Sequence, residues 1–377
     1  MARGKRPSLD IAVLGLEPSG ARTQAGRPTW SWPEGLASRG ALPELLAGRF
    51  EPGGAAVHEI EDCQRDDPDR RALAALDLDE ETGALERALG DWRLAGGDRS
   101  AFAQLVAKWR EQGYERLLAF DPVHLKAETD HAITFGPRFL DLDAGDFDAL
   151  LADLDHWLAA DGMHVERMGN QVYLVAERRE DGAGPAAAVL SRSGAPLACL
   201  LNRNAGVFID ETRSDPVLRQ WLTELQMWLY PQPMNDRRAA RGQPILSSFW
   251  PHGMNELADG LPESRDLDAL VVSDSPAVLA RVPASLAWTP ASVEPVLEAL
   301  RAGRAVRVVL TEPAWCRLEG DLGGFQAELA RIDAWLAEVM TAVPERKVAL
   351  SDGEGGRWRR RSPWRRIRAR LAAGERS

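Results

Sequence analysis

Two kinds of hydrophobic pattern alternate along the chain. Nearly unbroken apolar runs occur at Asp10–Leu16, Ala269–Val272 and Ala305–Leu310. Such runs suit strands buried on both faces of a parallel sheet. Between them the spacing turns helical, over Leu36–Phe50, Leu73–Leu89, Ser100–Gln112 (with Ser100 as its cap) and Phe325–Met340. Lys347–Leu350 and Arg357–Arg359 flank the Gly-rich stretch 351–356 and predict a hairpin.

The middle of the chain has a different texture. Leu117–Phe120 and Ala132–Phe135 read as strands. Asp146–Leu158 is an amphipathic helix, with Phe147, Leu150, Leu151, Leu154, Trp157 and Leu158 on one stripe. Val165–Met168 and Gln171–Val175 form a hairpin about Gly169-Asn170. This strand, strand, helix and hairpin order predicts a small α+β lobe over 114–213, inserted into an α/β core made from both ends of the chain. Asp215-Pro216 then starts a helix striped by Leu218, Trp221, Leu222, Leu225, Trp228 and Leu229, stopped by Pro231 and Pro233. Ile245–Trp250 reads as a further strand, and 51–71 as a polar surface loop.

Length and composition narrow the class. At 377 residues the chain has room for two domains, or for one large domain carrying an insertion. Its three cysteines, Cys63, Cys199 and Cys316, are too scattered for a disulfide framework or a C-x-x-C zinc site. No apolar run could span a bilayer, and the basic start lacks a signal peptide's apolar core, so a cytoplasmic protein is expected. Net charge is −11, yet 357–377 hold nine Arg and one Glu, a balance of +8 that leaves −19 on the rest. An acidic body argues against specific nucleic-acid binding. The tail, with Trp358, Trp364 and Ile367 among its arginines, suits contact with an anionic surface such as a membrane.

Familiar catalytic motifs are absent. None of His58, His124, His131, His156, His164 and His252 forms H-x-x-x-H or H-E-x-x-H, and there is no G-x-S-x-G, P-loop or G-x-G-x-x-G. Asp66-Asp67-Pro68-Asp69, flanked by Arg65, Arg70 and Arg71, reads as a charge-balanced surface. The segment Trp228–Gly253 carries the most chemistry. It sets Asn235, Arg237, Arg238 and Arg241 beside the expected hinge and then reaches His252-Gly253. Guanidinium forks in such a place suit a phosphate or carboxylate.

That segment resembles the signature of archaeal-type, cofactor-independent phosphoglycerate mutases of the alkaline phosphatase superfamily. Their H-P-V-N-x-x-R corresponds to Gln232-Pro233-Met234-Asn235-Asp236-Arg237-Arg238, followed by Gly242, Pro244 and His252-Gly253. Leu118–His124, Gln171–Val175, Thr311–Asp321 and Ala327–Leu336 are similar to further stretches of that family. Pro244–Trp250 is closer to a bacterial branch, the RpfE-type regulatory proteins. The resemblance implies an alkaline-phosphatase-like, mostly parallel α/β core over 1–113 and 236–377, with the inserted α+β lobe and connecting helix over 114–235.

It also implies a two-metal site, from which this chain departs. The family's first D-G is Leu16-Glu17-Pro18 here, its T-D-E-A-G-H is Thr311-Glu312-Pro313 without His, and its T-G-D-H is Leu350-Ser351-Asp352-Gly353. No serine at all lies between 50 and 90 to carry a phosphoryl group. Two-metal chemistry depends on such ligands and nucleophile. The expectation is therefore a non-catalytic relative without a metal cofactor, binding an anionic small molecule or a partner protein in the core/lobe cleft. Asn235, Arg238, His252, Arg241 and His124 are its expected contacts. The alternative is an active mutase or phosphatase holding two Mn or Zn ions on a remodelled set of Glu17, Glu312 and Asp352.

Overall fold

The computed structural model describes residues 8–14, 50–52, 67–78, 83–127, 132–169, 171–177, 196–201, 216–343, 347–351 and 357–360. In chain order, β1 (Ser8–Val13) and β2 (Phe50–Pro52) precede α1 (Pro68–Ala74), α2 (Ala84–Leu94) and α3 (Arg99–Glu111). Next come β3 (Tyr114–Ala127), β4 (Ala132–Phe135), α4 (Pro137–Leu140), α5 (Ala144–Ala159), β5 (Met163–Met168), β6 (Gln171–Glu177) and α6 (Leu197–Leu200). The chain continues through α7 (Pro216–Leu229), α8 (Pro233–Ala240), β7 (Ser248–Glu256), β8 (Ala269–Ser273), α9 (Pro276–Arg281), β9 (Leu286–Ala287) and α10 (Val293–Arg301). It closes with β10 (Ala305–Leu310), α11 (Glu312–Leu318), α12 (Leu322–Ala342), β11 (Lys347–Ser351) and β12 (Arg357–Arg360).

The two ends of the chain share one sheet. Its order is β2-β12-β11-β1-β10-β8-β9, in which β11, β1, β10, β8 and β9 run parallel while β12 and β2 add an antiparallel edge. Ile11 of β1 registers with Val308 on one side and Leu350 on the other. Side chains alternate across a strand, so Leu9, Ile11 and Val13 meet α10 and α12 while Ala12 and Leu14 meet α1 and α9. This two-sided burial explains the unbroken apolar runs. On α12, Phe325, Leu329, Ile332, Trp335, Leu336 and Val339 form one buried stripe. Each such side chain contributes about 1.5–3 kcal/mol by leaving water.

A second sheet, ordered β4-β3-β6-β5, carries β7 on the remaining side of β3. Both of its faces are covered. Leu118, Phe120 and Leu174 pack against α5 and α7, whereas Leu117, Ala119, Tyr173 and Val175 pack against α2 and α3. The strand at 248–256, which the sequence places in the core segment 236–377, thus pairs with the lobe strand β3. Helices α2 and α3, from segment 1–113, likewise cover the second sheet.

Helix α2 is the joint between the sheets. Its outer side meets α9 so closely that a Cβ on Gly90 would lie 2.0 Å from the Pro276 carbonyl oxygen. The guanidinium of Arg93 gathers the carbonyls that end α9, at 3.0 Å from Val282 O and Pro283 O and 3.1 Å from Ser285 O. Arg99 of α3 reaches Ala280 O at 3.1 Å. Orphan carbonyls at a helix end are thereby satisfied from the lobe side.

Two local expectations change, and a third falls almost wholly outside the described residues. The single helix over 73–89 is two helices, α1 and α2, with 75–83 between them. Asp98, not Ser100, caps α3, its Oδ1 accepting from Ala101 N at 2.8 Å. Of the expected helix at Leu36–Phe50, all but Phe50 lies outside the described residues, and Phe50 itself is in β2. No helix among the described residues is long and apolar enough to cross a membrane.

Candidate functional site

Parallel sheets present their chemistry at the carboxyl ends of the strands. Here Asp274 follows β8 and Thr311-Glu312 follow β10. Asp274 Oδ1 accepts from Thr311 N at 2.7 Å and from Thr311 Oγ1 at 2.9 Å, and Oδ2 accepts from Glu312 N at 3.0 Å. Burial raises the Asp274 carboxyl to about 7, against the pull of those donors. Glu312 opens α11 and holds the Nη2 of Arg138, which comes from α4 beside the second sheet. Glu319 takes the other side of the same fork, its Oε1 3.7 Å from Arg138 Nε. Its Oε2 accepts from Arg138 N at 3.0 Å and Phe139 N at 3.4 Å. Burial lifts Glu319 to about 7 although Arg138 opposes the shift. Arg138 itself is only part-buried, and Phe139 beside it is exposed. One guanidinium thus ties the two sheets together across an open edge.

A larger polar cluster lies inside the same junction. Asp67 and Asp69 start α1 and are 0% and 2% exposed. Arg87 of α2 reaches Asp67 Oδ2 at 2.7 Å and Asp69 Oδ2 at 3.6 Å. Ser275, the α9 cap, donates to Asp69 Oδ1 at 2.6 Å. One turn along α2, Asp91 accepts the Tyr173 hydroxyl. His252 Nε2 sits 2.6 Å from Asp121 Oδ2, both buried. Burial alone would lower the Arg87 guanidinium, but Asp67, Asp69 and Asp121 hold it above its ordinary value. Burial also raises Asp69, and it pushes Asp91 to about 8. The run 66–69, expected as balanced surface, therefore supplies two buried carboxylates to this junction, Asp66 lying outside the described residues.

The expected contacts separate into two places. Asn235, Arg238 and His124 converge on the strand lead-in at 244–246. Asn235 Nδ2 donates to Leu229 O and Leu246 O, both at 2.8 Å, and its Oδ1 accepts from Leu246 N at 2.9 Å. Arg238 Nε donates to Pro244 O at 2.7 Å, and its Nη atoms reach Leu140 O and Asp141 O. His124 Nδ1 is 2.9 Å from Ile245 O, and the ring stacks on Phe139. These side chains clasp main chain, with Asn235 and Arg238 buried. Arg241 is exposed. His252 lies apart from them, in the Asp121 pair.

The sequence alone does not mark Arg138 and Arg87 as site residues. Gly136-Pro137 after a strand does mark a helix start beside Arg138, yet its partners stand 174 and more residues away. Among the described residues no three His, Cys, Asp or Glu side chains gather as a metal-binding group. Glu312, one of the three remodelled ligands considered, is engaged by a guanidinium, a poor fit to a resident cation; Glu17 and Asp352 lie outside the described residues. The tail beyond Arg360 lies outside them too.

No protein-family model and no curated protein matches the chain. Solved structures do. The PH0037 protein from Pyrococcus horikoshii is 14% identical with a TM-score of 0.44, covering 94% of this chain and 87% of that one. A cofactor-independent phosphoglycerate mutase from Thermoplasma acidophilum is 16% identical with a TM-score of 0.36, covering 95% of this chain and 90% of the mutase. Likenesses this distant carry no activity across.

Proposed function

We propose that this chain is a non-catalytic binding protein, resembling the RpfE-type relatives of phosphoglycerate mutases, that takes an anionic small molecule at the junction of its two sheets. The observation that carries this reading is Arg138, a part-exposed fork held by Glu312 and Glu319 across the carboxyl edge of the parallel sheet. A phosphate or carboxylate matches that fork bidentately and competes with Glu312 for it. Glu319, at about 7, is readily neutralised when an anion arrives, which keeps the site's charge in balance. The groups that a phosphoryl-transfer reaction would draw on at this edge are engaged by their neighbours: Asp274 by two amides and a hydroxyl, Glu312 by Arg138. Asn235 and Arg238 support the scaffold beside the site, and exposed Arg241 serves as a control.

Calorimetric titration with inorganic phosphate and with a phosphorylated three-carbon acid tests the reading. Arg138→Gln is expected to weaken binding at least tenfold and Arg241→Ala to leave it unchanged. Unchanged affinity in Arg138→Gln would overturn the assignment. So would Mn²⁺-dependent phosphate release that disappears in Glu312→Ala.

A further inference from the structure

The buried cluster inside the junction has no part in that reading, and its arithmetic is unusual. Four carboxylate residues, Asp67, Asp69, Asp91 and Asp121, are buried. Among the described residues, the cation paired with them is Arg87, with His252 beside Asp121 as a second when protonated. Even with His252 charged, the described carboxylates outnumber these cations by two, in a place where charge is poorly solvated. Holding protons is the cheaper state. The groups also come from both sides of the joint: Asp67 and Asp69 from α1 and Ser275 from α9 on the parallel core, Asp121, Tyr173 and His252 from β3, β6 and β7 of the second sheet. Arg87 and Asp91, on α2, stand between them.

We propose that this cluster is an acid-tightened clamp: protons held at Asp69 and Asp91 keep the second sheet against the parallel core, and their loss loosens the joint. Asp91 is the clearest carrier. Its partner Tyr173 reaches it from the lobe, and Asp69, Asp121 and Arg87 face it from α1, β3 and its own helix. Burial puts its carboxyl at about 8 when the joint is closed, against about 3.9 for a solvated aspartate. The closed form therefore binds the proton across that interval and the open form does not. Closure weakens as pH rises from about 4 to about 8 and levels off above.

The experiment uses the full chain and Asp91→Asn, which keeps the neutral, hydrogen-bonding shape but cannot titrate. Wild-type unfolding at pH 7, measured calorimetrically in two buffers of different ionisation enthalpy, is expected to release about one proton more than the variant. Between pH 5.5 and 7.5 the wild-type unfolding constant should climb about tenfold per pH unit faster than that of Asp91→Asn. Amide exchange in α2 and β6 should rise beyond its intrinsic pH dependence in wild type alone. Equal proton release and equal pH slopes in the two chains would overturn the proposal. Should Asp91→Asn not fold, the infrared band of a protonated carboxyl decides in Asp274→Asn/Glu319→Gln, which lacks the two other carboxyls raised to about 7: present at pH 7 and lost through about pH 8 supports the clamp, absent at pH 7 refutes it.

Discussion

Replacing Arg87 by Met keeps most of the aliphatic stem and removes the guanidinium that bridges Asp67 and Asp69. At separations of 2.7 and 3.6 Å, and with an effective dielectric of about 20, the two attractions are worth roughly 6 and 5 kcal/mol before desolvation. The guanidinium side chain is 12% exposed, so returning it to water recovers a large part of that sum. What remains is the cost of two uncompensated buried carboxylates, about 3–5 kcal/mol at pH 7.5. Because protonation can replace the lost cation, the penalty should shrink by about 1.4 kcal/mol per pH unit for each proton the variant takes up. A loss of about 4 kcal/mol at pH 7.5 thus falls to roughly 1 kcal/mol at pH 5.5. Urea unfolding, followed by tryptophan fluorescence and circular dichroism at both pH values, reads the difference. Adding Asp67→Asn to the variant should recover part of the loss. A penalty below about 1 kcal/mol at pH 7.5, or one that ignores pH, would refute the view that this cluster is both buried and short of positive charge.

Four further outcomes are expected. Asn235→Ala strips three buried hydrogen bonds and should cost about 2–4 kcal/mol in urea unfolding, while phosphate affinity in the folded protein stays unchanged. Gly90→Ala drives a methyl into the Pro276 backbone and should lower stability by at least about 2 kcal/mol, with faster amide exchange in α2 and α9. Tyr173→Phe removes the hydroxyl that favours the ionised form of Asp91, so the protonated-carboxyl infrared band should persist to higher pH than in wild type. Ser275→Ala loses both the α9 cap and the donor to Asp69 and should cost about 1–2 kcal/mol, read as a lower urea midpoint.

Elements whose burial follows a simple period were legible in the sequence. The run Ala305–Leu310 is a central strand because both its faces are covered, and Gly169 turns the β5–β6 hairpin at a φ of 60°. The stripe on α7 likewise packs its Trp221, Leu225 and Leu229 into the second sheet's core. Polar pairing over long separations was not legible. Asp67 and Asp69 look like surface in a run of charges, and only the fold brings Arg87 over them. Asn235 and Arg238 are the residue types of an anion site, yet main-chain carbonyls compete for the same donors and occupy them. Strand β7 gives no local sign of which sheet it joins, since its apolar run suits either.

Anion binding at the carboxyl edge through Arg138, without turnover, is tested most directly by phosphorus NMR. The full chain is incubated for hours with a phosphorylated three-carbon acid in the presence of Mn²⁺-free and then Mn²⁺-supplemented buffer, the resonance being read in the first and product by quenched sampling in the second. The expected result is a resonance shifted by wild type but not by Arg138→Gln, and no new phosphorus species in either buffer. A product signal that grows with time and vanishes in Glu312→Ala would contradict it.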